Sequence, residues 1–376
     1  MLQTISTWGE EESRGTVRAV QGPWVLVLGR PGGDPLRRVG GLSIALRLAL
    51  DAQRVGAAGI VCEEGSTLGP DALADPRLQI PVTAAVHEGA RPVRIGASSV
   101  VHREVLRAVA SGPDGSALVT GTPPAVDTPF AFGPVDVTDA GAARRAERLL
   151  FRSLRKPQDG WTSRWLNRYV SLTLSRWLVK TPFSPNQVSV AILAVGLYGA
   201  WLASRGSYGT MLCGAALFQA QSILDGCDGE MSRVSYRGSL LGEWLDTVGD
   251  DLTNYGFFAG AAIGLHTGTG GSLYLVAGGI TVGCGVVGSL IEYRYLLKIG
   301  SGDLLKYPTS QTASTGTGVV AAIAPLFKRD TFVFLTLISA ALGLVGPMLV
   351  VFSLGAIGVL ANVLAAEARM ARERHG

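Results

Sequence analysis

Charge is scarce in this sequence. Asp, Glu, Lys and Arg make up 16% of the 376 residues, against roughly 25% in soluble proteins. Cysteine is scarce too: Cys62, Cys213, Cys227 and Cys284 form no CxxC pair and have no accompanying His cluster. That excludes a disulfide scaffold and a zinc site and leaves reduced thiols packed as small apolar groups. The net charge of +4 is too small for a nucleic-acid binder. The opening MLQTISTWGEEESRGT lacks a basic stretch followed by an apolar one, so no cleaved signal peptide is expected. Apolar residues, by contrast, are abundant. They reach 47% of the chain and its mean hydropathy is +0.31. Disorder is excluded, and part of the chain is expected to live in a bilayer.

The chain divides into three. Residues 1–138 alternate strand and helix signals: WVLVLG at 24–29, a helix over 41–55, GIVCEE at 59–64, IPVTAAV at 80–86 and a helix over 100–110. That alternation predicts a cytoplasmic α/β domain on a parallel sheet, with a Pro/Gly/Thr-rich linker at 120–138. Residues 139–182 form a basic juxtamembrane segment. Ten Lys and Arg between Ala143 and Lys180 are interleaved with Trp161, Trp165, Tyr169 and Trp177, a pattern that suits an amphipathic helix on an anionic membrane face. Nucleic-acid binding is the competing reading of that stretch. Residues 183–370 read as six transmembrane helices at 187–204, 208–233, 239–265, 271–297, 331–346 and 347–366, with Pro347 at the last boundary. Lys and Arg collect in alternate loops. Both termini are therefore expected on the cytoplasmic side of a multi-pass protein of the cell membrane.

The chemistry is concentrated in LDGCDGEMSRVSYRGSLLGEWLDTVGDD, 224–251. Asp225 and Asp228 are three apart and Asp246 and Asp250 four apart, so each pair shares a helix face. A short turn lets the two faces meet. Four carboxylates there repel one another unless they are protonated or bound to cations. Together with phosphate oxygens they suit Mg²⁺ or Mn²⁺. Gly229 and Gly242 leave room for a ligand or a neighbouring helix, and Arg233 can neutralise a phosphate. A cation-conducting pathway also uses intramembrane carboxylates, but the clustering beside Arg233 fits a phosphate site better. Glu230 is expected at the solvent interface, and Asp251, about 100° from Asp250 on a helix, as a structural polar group. Arg237, Arg294, Lys298 and Arg329 are candidates for holding an acceptor's phosphate; as ordinary positive-inside charges they need no such role.

The spacing Asp225-x2-Asp228-Gly229-x2-Ser232-Arg233-x8-Gly242-x3-Asp246-x3-Asp250 resembles the signature of the CDP-alcohol phosphotransferase family. The departure is Ser232, where the family usually has Ala. KPQDGW, NRYVS and KTPFSPNQVS, between 156 and 189, resemble the branch with di-myo-inositol phosphate phosphate synthases and phosphatidylinositol-phosphate synthases. The resemblance implies two divalent ions on Asp225, Asp228 and Asp246, with Asp250 as general base that also touches metal. It implies a nucleotide pocket lined by Asn186, Gly229, Ser232, Arg233 and Gly242. It further implies a CDP-linked donor, an alcohol acceptor, release of CMP in phospholipid synthesis, and a homodimer. Residues 24–64 resemble the start of a nucleotidyltransferase domain. The loop Gly29-Arg30-Pro31-Gly32-Gly33-Asp34 matches its phosphate loop poorly, which points to a degenerate domain rather than one that makes the CDP-alcohol from CTP. A non-enzymatic divalent-cation transporter remains the competing class.

Overall fold

The computed structural model describes residues 23–63, 68–112, 126, 128, 130–155, 163–308 and 329–373. KPQDGW at 156–161 and residues 120–125, 127 and 129 of the 120–138 linker lie outside them. The chain forms two compact units.

The first unit carries a four-stranded parallel sheet in the order β5-β4-β1-β6. Strand β1 (Trp24–Gly29) is central and apolar throughout, as a strand covered on both faces must be. Its neighbours are β4 (Gly59–Cys62) and β6 (Arg91–Gly96), and β5 (Val82–Thr83) lies beyond β4. Strand β6 is absent from the sequence reading, because RPVRIG mixes Pro and two Arg with few apolar residues. It is an edge strand, where Pro is tolerated, and only Val93 and Ile95 turn into the core. A hairpin of β2 (Arg38–Val39) and β3 (Leu42–Ser43) closes over Gly40 and Gly41, both with positive φ, as a two-residue primed turn requires. Helix α1 (Ile44–Arg54) follows, capped by Ser43 Oγ, which accepts from Leu46 N at 3.4 Å. Short strands β7 (Ser99–Val100) and β8 (Val135–Asp136) pair antiparallel, and helix α2 spans Arg103–Ser111.

Helix α3 (Ala140–Arg152) corrects the boundary read at 138/139. Its Ala142, Ala146 and Phe151 are buried, and Ala146 packs with Val39, Ile44, Val100 and Val137 of the α/β core. The first half of the basic stretch therefore belongs to the first unit, which also takes in Val234–Tyr236. Charge density was the wrong guide there: the arginines occupy one face and small apolar residues the other.

The second unit is helical. Helix α4 (Arg168–Leu178) turns Tyr169 and Trp177 outward, 70% and 77% exposed, and buries Ser171, Leu172 and Ser175. Then come α5 (Pro185–Ala203), α6 (Tyr208–Leu224), α7 (Gly226–Ser235), α8 (Leu240–Thr269), α9 (Ser272–Ile299), α10 (Arg329–Ala341) and α11 (Val345–Glu373). Among the described residues three helices are long and apolar enough to cross a membrane: 185–203, 272–299 and 345–372. The outward faces carry Tyr198, Trp201, Leu290, Val351 and Leu354, all at least half exposed. Packing inside the bundle rests on small residues rather than large ones. A Cβ on Gly260 would lie 2.3 Å from the Ala200 carbonyl oxygen, and one on Gly264 would lie 2.1 Å from that of Ala203. Backbones of α5 and α8 thus meet directly, which fixes α8, the helix bearing Asp246 and Asp250, against α5.

Two predicted boundaries move. The span read as 208–233 breaks at Asp225, the C-terminal cap of α6. The break placed at Pro347 falls earlier, at Gly343 with φ +71°; Pro347 sits in the first turn of α11, where its missing N–H costs nothing.

Candidate functional site

Each aspartate of the motif has its own structural address. Asp225 stands at the joint between α6 and α7, Asp228 in the first turn of α7, and Asp246 and Asp250 one turn apart on α8. The cap Ser239, whose Oγ accepts from Gly242 N at 3.0 Å, sets where α8 begins. Carboxylate oxygens of Asp225, Asp246 and Asp250 lie within 4.8 Å of one another. Asp228, 6% exposed, accepts from Gly229 N and from Ser189 Oγ of α5.

One cation makes ion pairs with this cluster among the described residues. Arg329, at the start of α10, places Nη1 3.0 Å from Asp225 Oδ2 and Nη2 2.9 Å from Asp250 Oδ1. Its Nη2 donates to Gln221 Oε1 at 2.7 Å and its Nε to Asn254 Oδ1 at 3.4 Å. Asp250 Oδ1 is buried and receives charge attraction from Arg329 but no hydrogen bond of good geometry. Three converging carboxylates against the guanidinium groups of Arg329 and Arg233 leave a net negative pocket that fits a divalent cation.

The candidate nucleotide residues gather beside this cluster. Asn186 Oδ1 would lie 2.9 Å from a Cβ on Gly242, so only glycine leaves that approach open. A Cβ on Gly229 would sit 3.3 Å from Arg233 Nη1. Arg233 Nε is buried and has no hydrogen-bond partner among the described residues. Ser232 faces the turn after α7: its carbonyl accepts from Arg237 N at 3.1 Å.

The acceptor candidates separate. Arg329 is part of the aspartate cluster itself. Arg237 is exposed. Arg294 pairs with Glu367 at 2.7 Å, and with Lys298 it borders a small crevice lined by no residue of the motif. Asp251 accepts from Tyr293 Oη at 2.6 Å, in keeping with a structural polar group. Glu230 is a correction: it is fully buried, not at the solvent interface. Sequence reading also missed Ser189, Gln221 and Asn254. The signal was there: Gln221 lies four residues before Asp225 and Asn254 four after Asp250, the spacing that stacks side chains on one helix face.

Residues 183–361 match the CDP-alcohol phosphatidyltransferase family. These residues are a CDP-alcohol phosphatidyltransferase domain. All four motif aspartates, Asn186 and Arg329 fall inside it. The chain is similar to proteins named bifunctional IPC transferase and DIPP synthase. It is 35% identical to that of Aquifex aeolicus over 132 residues, 35% of this chain and 30% of the relative. Identity to the protein of Thermococcus kodakarensis is 35% over 129 residues, 34% of this chain and 29% of the relative. For Archaeoglobus fulgidus it is 34% over 126 residues, 33% and 25%. The matched stretch spans under a third of the length of these relatives.

Proposed function

We propose that the chain transfers a phosphoryl-linked group from a CDP-activated donor to an alcohol and releases CMP. The observation that carries this reading is the convergence of Asp225, Asp246 and Asp250 inside a CDP-alcohol phosphatidyltransferase domain. Asp225, Asp228, Asp246 and Asp250 would hold divalent metal, Mg²⁺ or Mn²⁺, as a pair of ions. Bound metal supplies charge neutralisation at the attacking and leaving oxygens of an in-line displacement. The acceptor oxygen forms a bond to the donor's β-phosphorus, the bond to the bridging oxygen breaks, and CMP departs with that electron pair. Asp250, whose Oδ1 is buried 2.9 Å from Arg329 Nη2, accepts the hydroxyl proton. Arg233, with its buried unpartnered Nε, and Asn186, Gly229, Ser232 and Gly242 hold the nucleotide and its phosphates. Arg329 orients Asp225 and Asp250 and offers the nearest cation to an acceptor phosphate.

The outward apolar faces and the alternate basic loops support six spans, with both termini and the site on the cytoplasmic side of the cell membrane. A homodimer completes this reading. The first unit serves as a structural partner rather than as a nucleotidyltransferase. Its glycine loop is already committed: Ser98 Oγ accepts from Gly32 N at 2.9 Å and Gly33 N at 3.2 Å. Backbone donors in use cannot cradle a triphosphate.

The test is CMP release by the protein in lipid nanodiscs. CDP-diacylglycerol and soluble CDP-alcohols serve as donors, with inositol 1-phosphate, inositol, glycerol 3-phosphate or serine as acceptors. Acceptor-dependent CMP that requires Mg²⁺ or Mn²⁺ and falls about 100-fold or more in Asp250→Asn is expected. No CMP from any pair, with metal bound, would give the site to cation binding or transport.

A further inference from the structure

The proposed reaction leaves Glu230 unused, yet both of its carboxylate oxygens are taken. It is 0% exposed. Its Oε1 accepts from Arg168 Nη1 at 2.8 Å and from Ser171 Oγ at 2.8 Å, and its Oε2 accepts from Ser175 Oγ at 2.7 Å. All three donors belong to α4, the helix that turns Tyr169 and Trp177 outward. Ser171 and Ser175 are one turn apart, so they present a single polar stripe to one carboxylate. Gly226 allows the approach: a Cβ there would lie 3.1 Å from Ser171 Oγ and 3.4 Å from Arg168 Nη1. Cys227, fully buried, closes the same contact, its carbonyl accepting from Ser175 Oγ at 3.4 Å.

Glu230 follows Asp228 by two residues, or about 200° around a helix. The short helix α7 is therefore held from opposite sides. Ser189 of α5 holds Asp228 on the site side, and α4 holds Glu230 on the far side. With only ten residues, α7 has little stability of its own and takes its orientation from what grips it. A buried carboxylate is costly unless paired and fully hydrogen-bonded. Here that cost secures one orientation of the helix bearing Asp228 and Arg233.

We propose that Glu230 is a positioning residue: through Arg168, Ser171 and Ser175 it locks α7 to the interfacial helix α4 and so sets Asp228 and Arg233 for metal and donor phosphate. The inference rests on the metal-site reading above. It is tested by titrating Mn²⁺ into the full chain in nanodiscs, following free Mn²⁺ by electron paramagnetic resonance, alongside kcat and KM for the CDP donor. Glu230→Gln keeps the volume and removes the charge. Ser175→Ala removes one hydrogen bond, keeps the ion pair, and carries the test should Glu230→Gln fail to fold. Positioning predicts weaker Mn²⁺ binding by about tenfold in Glu230→Gln, as for partners that orient metal ligands. A smaller loss in the same direction is expected for Ser175→Ala, with kcat falling more than KM rises in both. A purely structural role would lower the binding-competent fraction and leave the Mn²⁺ affinity of that fraction at its wild-type value; that result overturns the proposal. Wild-type protein that binds no Mn²⁺ would instead overturn the metal-site reading beneath it.

Discussion

Both units of this chain contain a motif that looks made for phosphate, and they use it in opposite ways. In the first, the amides of Gly32 and Gly33 donate to Ser98 Oγ, and a Cβ on Gly33 would lie 2.2 Å from the Val137 carbonyl oxygen. The loop is packed and its donors are spent. In the second, Asp225, Asp246 and Asp250 converge, Arg329 pairs with Asp225 and Asp250, and Arg233 Nε is buried without a hydrogen-bond partner among the described residues. A buried donor left without a hydrogen bond, set beside converging carboxylates, is a group that a bound ligand can satisfy.

The contrast can be broken most forcefully at Arg329. Arg329→Gln removes the counter-charge that Asp225 and Asp250 share, so turnover should fall about 10- to 100-fold, as when the partners that orient metal ligands are lost. Mn²⁺ affinity should hold or tighten, because a competing cation has gone. Unchanged turnover in a CMP-release assay would show that the site is built without Arg329. A middling effect is expected in the first unit. Ser98→Ala strands the amides of Gly32 and Gly33, which costs about 1–3 kcal/mol of stability. Thermal unfolding should register that loss while CMP release stays at its wild-type rate. Pyrophosphate release from CTP appearing in this variant would mean that the loop is masked rather than degenerate.

The smallest effect concerns Asp139, the cap of α3. Backbone hydrogen bonds from Ala142 and Gly141 hold its carboxyl below the usual carboxylate range. A depressed folded value gives stability that is fully present above the unfolded value and is lost as pH falls through the folded one. Asp139→Asn keeps the cap and drops the titration. Its melting temperature should match the wild type at pH 7 and fall less than the wild type below about pH 4, near the ordinary Asp pKa. Equal acid sensitivity in both would remove Asp139 as the source.

Much of the second unit was legible because its signals are local. Apolar runs mark α5, α9 and α11, and Asp246 and Asp250 declare a shared face by their spacing, whereas the face expected for Asp225 and Asp228 is broken at the joint between α6 and α7. The first unit was legible where strands are purely apolar, as in β1. It was not in β6, whose Pro and Arg suit an edge that only the assembled sheet defines. Glu230 misled for a related reason: a charged residue beside a turn reads as solvated until the helix that buries it is in place.

The residues alone determined the kind of chemistry on offer, since Asp246 and Asp250, four apart, share a face of α8 wherever that helix goes. That Asp225 stands apart, at the joint between α6 and α7, only the fold decided. The residues determined the length and apolarity of α5, α9 and α11 as well, since hydropathy is a sum over composition. Only the tertiary structure decided which charges answer one another. Arg329 reaches Asp225 across 104 residues, Glu230 reaches Arg168 across 62, and Ser98 reaches Gly32 across 66. Separations of that length are set by how helices and strands pack, which no local spacing encodes.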